Sequence, residues 1–145
     1  EKPVVDIDTT IAADPATVWK AMTRKKTAMF PETEIETHWK VGHPFTLTGS
    51  YEGKPFEDGG EIKAYEEEKE LAFTHWSKKP GQKGQPESYH LVRYRLEPRG
   101  DKTHVSLTQF NEGKETSVDD KTKAEFKKNF QMMLEGLKQS AEAMH

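Results

Sequence analysis

The chain has 145 residues, with 22 Lys and Arg set against 25 Asp and Glu for a formal charge of -3, 32% apolar residues and no cysteine. That length suits one domain over 1–145 with a single core, burying about two thirds of its unfolded surface. Interspersed, nearly balanced charge removes the electrostatic basis for binding nucleic acid or an anionic membrane. The lack of cysteine excludes disulfides, thiolate nucleophiles and sulfur-ligated metals, and fits a reducing, cytoplasmic compartment. No apolar run approaches the roughly 18 residues of a membrane span. A first residue of Glu rather than Met is what a trimmed N-terminus gives.

"VVDIDTTI" alternates, with Val5, Ile7, Thr9 and Ile11 on one side and Asp6, Asp8 and Thr10 on the other, which predicts a half-buried first strand. Asp14 then caps a short helix opened by Pro15, with Val18, Trp19 and Met22 as its apolar stripe and an end near 23–26. The stretch around Met29, Phe30 and Pro31 has no clear period. Six strand candidates follow at 34–40, 44–51, 60–66, 70–76, 88–98 and 103–111, separated by the turn signals "VGHP", "YEGKP", "EDGG", "PGQKGQP" and "PRGDK". Short connections of this kind predict an antiparallel meander. Residues 77–88, rich in Gly, Pro and Lys, read as a surface loop. From Val118 the period becomes helical, because Phe126, Phe130, Met133, Leu134, Leu137, Ala141 and Met144 recur at steps of three, four and seven.

Several of these segments resemble one known family. "PATVWKAMT" resembles the opening of the first helix in the START-like (Bet v 1-like, SRPBCC) superfamily, and specifically its branch related to the activator of Hsp90 ATPase. "WKVGHPFTLTG", "GGEIKAYEEEKELAFTHW" and "LVRYRLEPRGDKTHVSLTQ" resemble the successive strands of that branch, and "NFQMMLEGLK" its final helix. The resemblance runs from Val5 to Met144. It implies an α+β helix-grip fold, in which a curved antiparallel sheet of six to seven strands wraps a long C-terminal helix, with a short helical insert after the first strand. It further implies a hydrophobic cavity between sheet and helix, small-molecule or lipid binding in many relatives, catalysis in only some branches, and a link to Hsp90 in others. The family commonly carries a tryptophan where Phe130 stands here.

Alternation then gives the face expected to line that cavity. "ELAFTHW" puts His75 on the side of Leu71 and Phe73, and "YHLVRYRLEP" puts His90, Val92 and Tyr94 opposite the solvent-facing Arg93 and Arg95. Val105, Leu107 and Gln109 take the same face of the last strand, while Trp39, Phe45, Leu47, Tyr51, Ile62 and Ala64 complete the wall. Phe130, Met133 and Leu137 form its ceiling. A few convergent polar groups (His75, His90, Tyr94, Gln109, Tyr51) in an apolar surround describe a site for a hydrophobic or weakly polar small molecule. A neighbouring backbone group or trapped water satisfies the same groups equally well and needs no ligand.

Nothing in the chain pairs a nucleophile with either histidine, and no phosphate-cradling glycine loop or zinc signature is present, so neither a catalytic set nor a cofactor or metal is expected. An enzyme using cavity His or Tyr as acid and base is the weaker rival. The stronger rival is an interaction module whose outer surface, for instance Trp76 and Tyr89, meets a chaperone or a second copy of the chain. The acidic run Glu66 to Glu68 reads as solvated surface.

Overall fold

The computed structural model describes residues 2–30, 32–51, 53–77, 88–113 and 118–144. Its elements are β1 (Val5–Ile11), α1 (Pro15–Thr23), β2 (Thr33–Thr37), β3 (Pro44–Tyr51), β4 (Lys54–Glu66), β5 (Glu70–Ser77), β6 (Ser88–Arg99), β7 (Lys102–Gly113) and α2 (Asp120–Met144). All seven strands form one antiparallel sheet in the order β1-β7-β6-β5-β4-β3-β2. The meander from β2 to β7 is the predicted one, and β1 closes onto the free side of β7, so the first two strands occupy opposite edges. Residues 78–87, expected to form a surface loop, lie outside the described residues.

Local chemistry explains each end of α1. The Asp14 carboxylate accepts from the Thr17 amide at 3.0 Å, Pro15 supplies a preset φ at the first helical position, and Val18, Trp19, Ala21 and Met22 turn inward. Beyond the helix the buried Thr27 hydroxyl donates to the Met22 carbonyl and accepts from the Met29 amide, and Ala28 N–H donates to Ala21 O at 2.9 Å. These bonds fold the aperiodic stretch back under the helix and bring Phe30 to the concave side of the sheet.

Three strand predictions differ from the structure. The "EDGG" stretch is not a turn but the middle of β4, which starts at Lys54 instead of Gly60. Its glycines serve close approach: a Cβ on Gly60 would lie 1.8 Å from the Thr74 carbonyl oxygen and 2.6 Å from the Phe45 ring, and one on Gly59 would meet the Trp76 ring at 2.7 Å. Trp76 is accordingly part-buried, its ring lying over Gly59 of the neighbouring strand. β2 ends at Thr37, earlier than the predicted 40, because Trp39 adopts a left-handed φ of 53°.

A register shift between Ile62 and Ala64 changes the facing of the rest of β4. Ile62 is fully buried, but past the bulge Tyr65 rather than Ala64 turns inward, opposite Leu71. Its hydroxyl accepts from Trp19 Nε1 at 3.3 Å, and the two rings meet edge-on at 5.3 Å.

Because the Gly60 site has a backbone carbonyl as its nearest neighbour, no side chain can yield to an added methyl. Gly60→Ala is therefore expected to destabilise the fold by about 3 kcal/mol or more. Urea denaturation checks this, and a loss below about 1 kcal/mol would show that β4 and β5 are not packed this closely.

Candidate functional site

α2 is anchored mainly at its C-terminal half. There Leu134, Leu137 and Ala141 are buried, Lys138 Nζ donates to the Thr10 carbonyl at 2.8 Å, the Glu142 carboxylate accepts from Ala12 N–H at 2.8 Å, and Arg24 donates to Ser140 Oγ at 2.9 Å. These contacts hold the helix on β1 and α1. Toward the other end the inward stripe consists of Phe126, Phe130 and Met133, and no α1 side chain lies beneath it. A cavity of about 270 Å³ remains there, partly open to solvent.

Leu47 of β3, Asp58 of β4, His75 of β5 and His90 and Val92 of β6 form its floor. Phe30, Thr33 and Phe56 stand at the side, and Phe126, Asn129, Phe130 and Met133 close the top. The lining is mainly apolar, so its polar atoms are few and identifiable. His75 and His90 are directly paired across β5 and β6, with ring centroids 6.3 Å apart and an angle of 16° between the planes. His75 Nε2 lies 3.1 Å from Asp58 Oδ2. His90 Nδ1 lies 2.8 Å from Gln109 Nε2 and 3.1 Å from Asn111 Oδ1, and the Gln109 amide also donates to Asn111 Oδ1 at 2.6 Å. Phe126 meets the His90 ring edge-on at 5.2 Å.

Burial is the main influence on His90 and lowers its pKa from the ordinary 6.5; the hydrogen bond to Asn111 opposes this and the neighbouring His75 adds to it. Tyr94 is fully buried, which pushes its phenol far above the ordinary 10, and its Oη has no partner. Gln109 Oε1, on the same face of β7, is likewise unpaired. Among the described residues no group of three or more His, Asp or Glu is placed to hold a metal ion.

The structure gathers some of the predicted residues at this cavity and sends others elsewhere. Leu47, His75, His90, Val92, Phe130 and Met133 line it. Phe45, Ile62, Phe73, Tyr94, Leu107 and Leu137 lie below it in the packed core, and Gln109 touches it only through His90. Trp39 is separate: with Ile35, His38 and His43 it borders a wider, shallower groove of about 680 Å³ at the β2 edge. That groove is the larger space, but its lining is far more polar and it lacks an enclosing roof. The side chain of Tyr51 lies outside the described residues.

Phe30, Thr33, Phe56, Asp58, Phe126 and Asn129 line the cavity without having been predicted to. For Phe56 and Asp58 a usable signal existed. Running β4 through its glycines with a period of two puts both on the face of Ile62. Phe126 and Asn129 each sit four residues before a predicted ceiling residue, on the same helix face.

A sheet gripping a long helix over a partly filled interior defines the helix-grip class. The chain belongs to the Activator of Hsp90 ATPase homolog 1-like (AHSA1) family, whose model matches residues 12–142. Among solved structures, it is similar to ChR145 from Cytophaga hutchinsonii, with 31% identity, 97% of this chain and 94% of that chain covered, and a TM-score of 0.76. MLL2253 from Mesorhizobium loti is 20% identical over 97% of this chain and 98% of its own, with a TM-score of 0.68. The Bet v 1-like Ara h 8.0201 is 16% identical over 95% and 96%, with a TM-score of 0.70, and shares the fold alone. No curated protein matches the chain. No helix among the described residues is long and apolar enough to cross a membrane.

The lowered pKa of His90 has a consequence for stability. Below its ordinary 6.5 the unfolded chain takes up a proton that the folded chain resists, so His90 reduces stability as the pH falls through 6.5. Glu142 and Asp119, whose carboxyls are held low mainly by the backbone amides of Ala12 and Thr122, contribute stability that is lost only at more acid pH. His90→Gln is therefore expected to flatten the stability profile between neutrality and pH 6 and leave the acid limb in place. Chemical denaturation across that range checks it; an unchanged slope near 6.5 would contradict the buried placement of this ring.

Proposed function

We propose that residues 1–145 work as one domain that takes a small, largely apolar molecule into the cavity beneath the N-terminal half of α2. The observation that carries this reading is a mainly apolar, partly open space of about 270 Å³ with its polar atoms gathered on one wall. It lies just below the range of ligand pockets, about 300–1,000 Å³, and equals the liquid volume of roughly nine waters. A compact molecule suits it better than a long acyl chain. The hydrogen-bond partners of the two imidazoles are Asp58, Gln109 and Asn111, and neither ring is paired with a serine or threonine hydroxyl that it could activate, which favours binding over catalysis.

Contact with a chaperone is the second reading, supported by the family's description. The surface lends it less support. Among the described residues the large apolar side chains that are strongly exposed are Val41, between β2 and β3, and Met132 on α2, on separate elements.

Native mass spectrometry of the protein purified from its own host tests the binding reading, with Met133→Trp as the comparison. The parent is expected to carry a small adduct released on denaturation, and Met133→Trp, which fills the cavity from above, to lack it. Because the added ring enters existing space, the variant should keep the parent's stability. A loss of about 3 kcal/mol would indicate overpacking instead, and an adduct-free parent would contradict the proposal.

A further inference from the structure

His90 stands where the sheet meets the loosely held half of α2, and its surroundings suit a neutral ring. Phe126 and Phe130 meet it edge-on at 5.2 and 6.5 Å, and the His75 ring is stacked beside it at 6.3 Å. Its Nδ1 faces the Gln109 and Asn111 amides at 2.8 and 3.1 Å, and its Nε2 has no hydrogen-bond partner among the described residues. Whichever nitrogen bears the proton of the neutral ring, the imidazolium bears one on each. In so apolar a setting the charge has to be hydrated or paired.

The closed arrangement supplies no counter-charge of its own to this ring. The Asp58 carboxylate of β4 lies 3.1 Å from His75 Nε2, on the other imidazole. From β5 the facing group is His75, whose charge repels, and from β7 the two amides of Gln109 and Asn111. Toward the ring α2 turns Phe126, Asn129, Phe130 and Met133, none of them titratable, while its Asp120, Lys121, Lys123, Glu125, Lys127 and Lys128 are exposed to solvent. Burial first, with the repulsion from His75, holds the closed ring's pKa below 6.5. A ring released to water returns to that ordinary value, so below 6.5 the released form binds a proton that the closed form resists, and acid favours release. The far end of the helix is held differently: Lys138 donates to the Thr10 carbonyl, and the Glu142 carboxyl, kept low mainly by the Ala12 amide, stays an acceptor in the same mild acid.

We propose that His90 is an acid-operated release for α2: on protonation the helix from Asp120 to Met133 swings away from the sheet so that the imidazolium meets water, and the part from Leu134 onward stays on β1 and α1 as the hinge. The movement opens the roof made by Phe126, Phe130 and Met133. It belongs to the helix and the histidine-bearing strands, and holds whether or not the cavity takes a ligand.

Because the chain has no cysteine, spin labels attach only where one is introduced. Thr48→Cys on β3 is combined with Lys127→Cys or with Gln139→Cys, all three positions being exposed, and the label separations are measured by pulsed electron resonance from about pH 7.5 to about pH 5. The pair at 48 and 127 is expected to gain a longer separation whose population relative to the closed one grows by up to about tenfold per pH unit below 6.5. The pair at 48 and 139 should not change. In His90→Gln, which keeps a polar side chain at this position, the longer separation should be absent throughout. A constant separation at 48 and 127 would overturn the proposal by showing that the imidazolium is accommodated in place. Equal lengthening of both pairs, the mark of general unfolding, or a longer separation that persists in His90→Gln, would overturn it as well. Proton spectra of the unsubstituted chain give a readout independent of any variant: the His90 ring is expected to titrate together with the change in separation, and a midpoint well apart from it would contradict the assignment to this ring.

Discussion

The asymmetric docking of α2 is the constraint from which the rest follows. Twenty-five residues make a helix about 37 Å long, and its firmest attachments all fall in the last third, where Lys138 reaches β1, Glu142 caps the chain after β1 and Ser140 meets Arg24. Each of Leu134 and Leu137 adds about 1.5–3 kcal/mol of apolar burial on that side. The helix is rigid enough to carry Phe126, Phe130 and Met133 onward over the sheet, and nothing from α1 fills in below. The core is continuous at one end and incomplete at the other.

Around the incomplete end the sheet places its polar side chains according to strand register. His75 and His90 face each other because β5 and β6 pair with that register, and Gln109 and Asn111 reach His90 because β7 is the next strand over. Asp58 comes from the other side, on the stretch of β4 that its two glycines allow to run close against β5. The two histidines are therefore held by partners from different strands. Satisfying one nitrogen of each ring also limits the desolvation penalty of placing imidazoles beside phenylalanine.

Much of this was legible in the chain. β1, α1, β3, β5 and the stripe of α2 follow from periods of two and 3.6 and from the Asp14-Pro15 cap, because each has a solvated face that contrasts with its buried one. β4 was not legible in the same way. Gly59 and Gly60 look like a turn when read locally, and the atoms that require them, the Thr74 carbonyl and the Trp76 ring, lie 14 and 17 residues away in sequence. The bulge after Ile62 exchanges Tyr65 for Ala64 on the inner face, and a strict alternation cannot foresee it. For the site, alternation identified which side chains face inward but not how far up the concave face the packing stops. It therefore grouped Phe73, Tyr94 and Leu107, which are packed, with His75, His90 and Val92, which line the open space.

The central claim is physical: a gap persists between the free half of α2 and the strands beneath it. A crystal of the protein pressurised with xenon measures this directly, since xenon enters apolar cavities and is visible in electron density. The account predicts a xenon site bounded by Leu47, Val92 and Phe130. No xenon there, with Phe126 and Phe130 collapsed onto Val92, would contradict it.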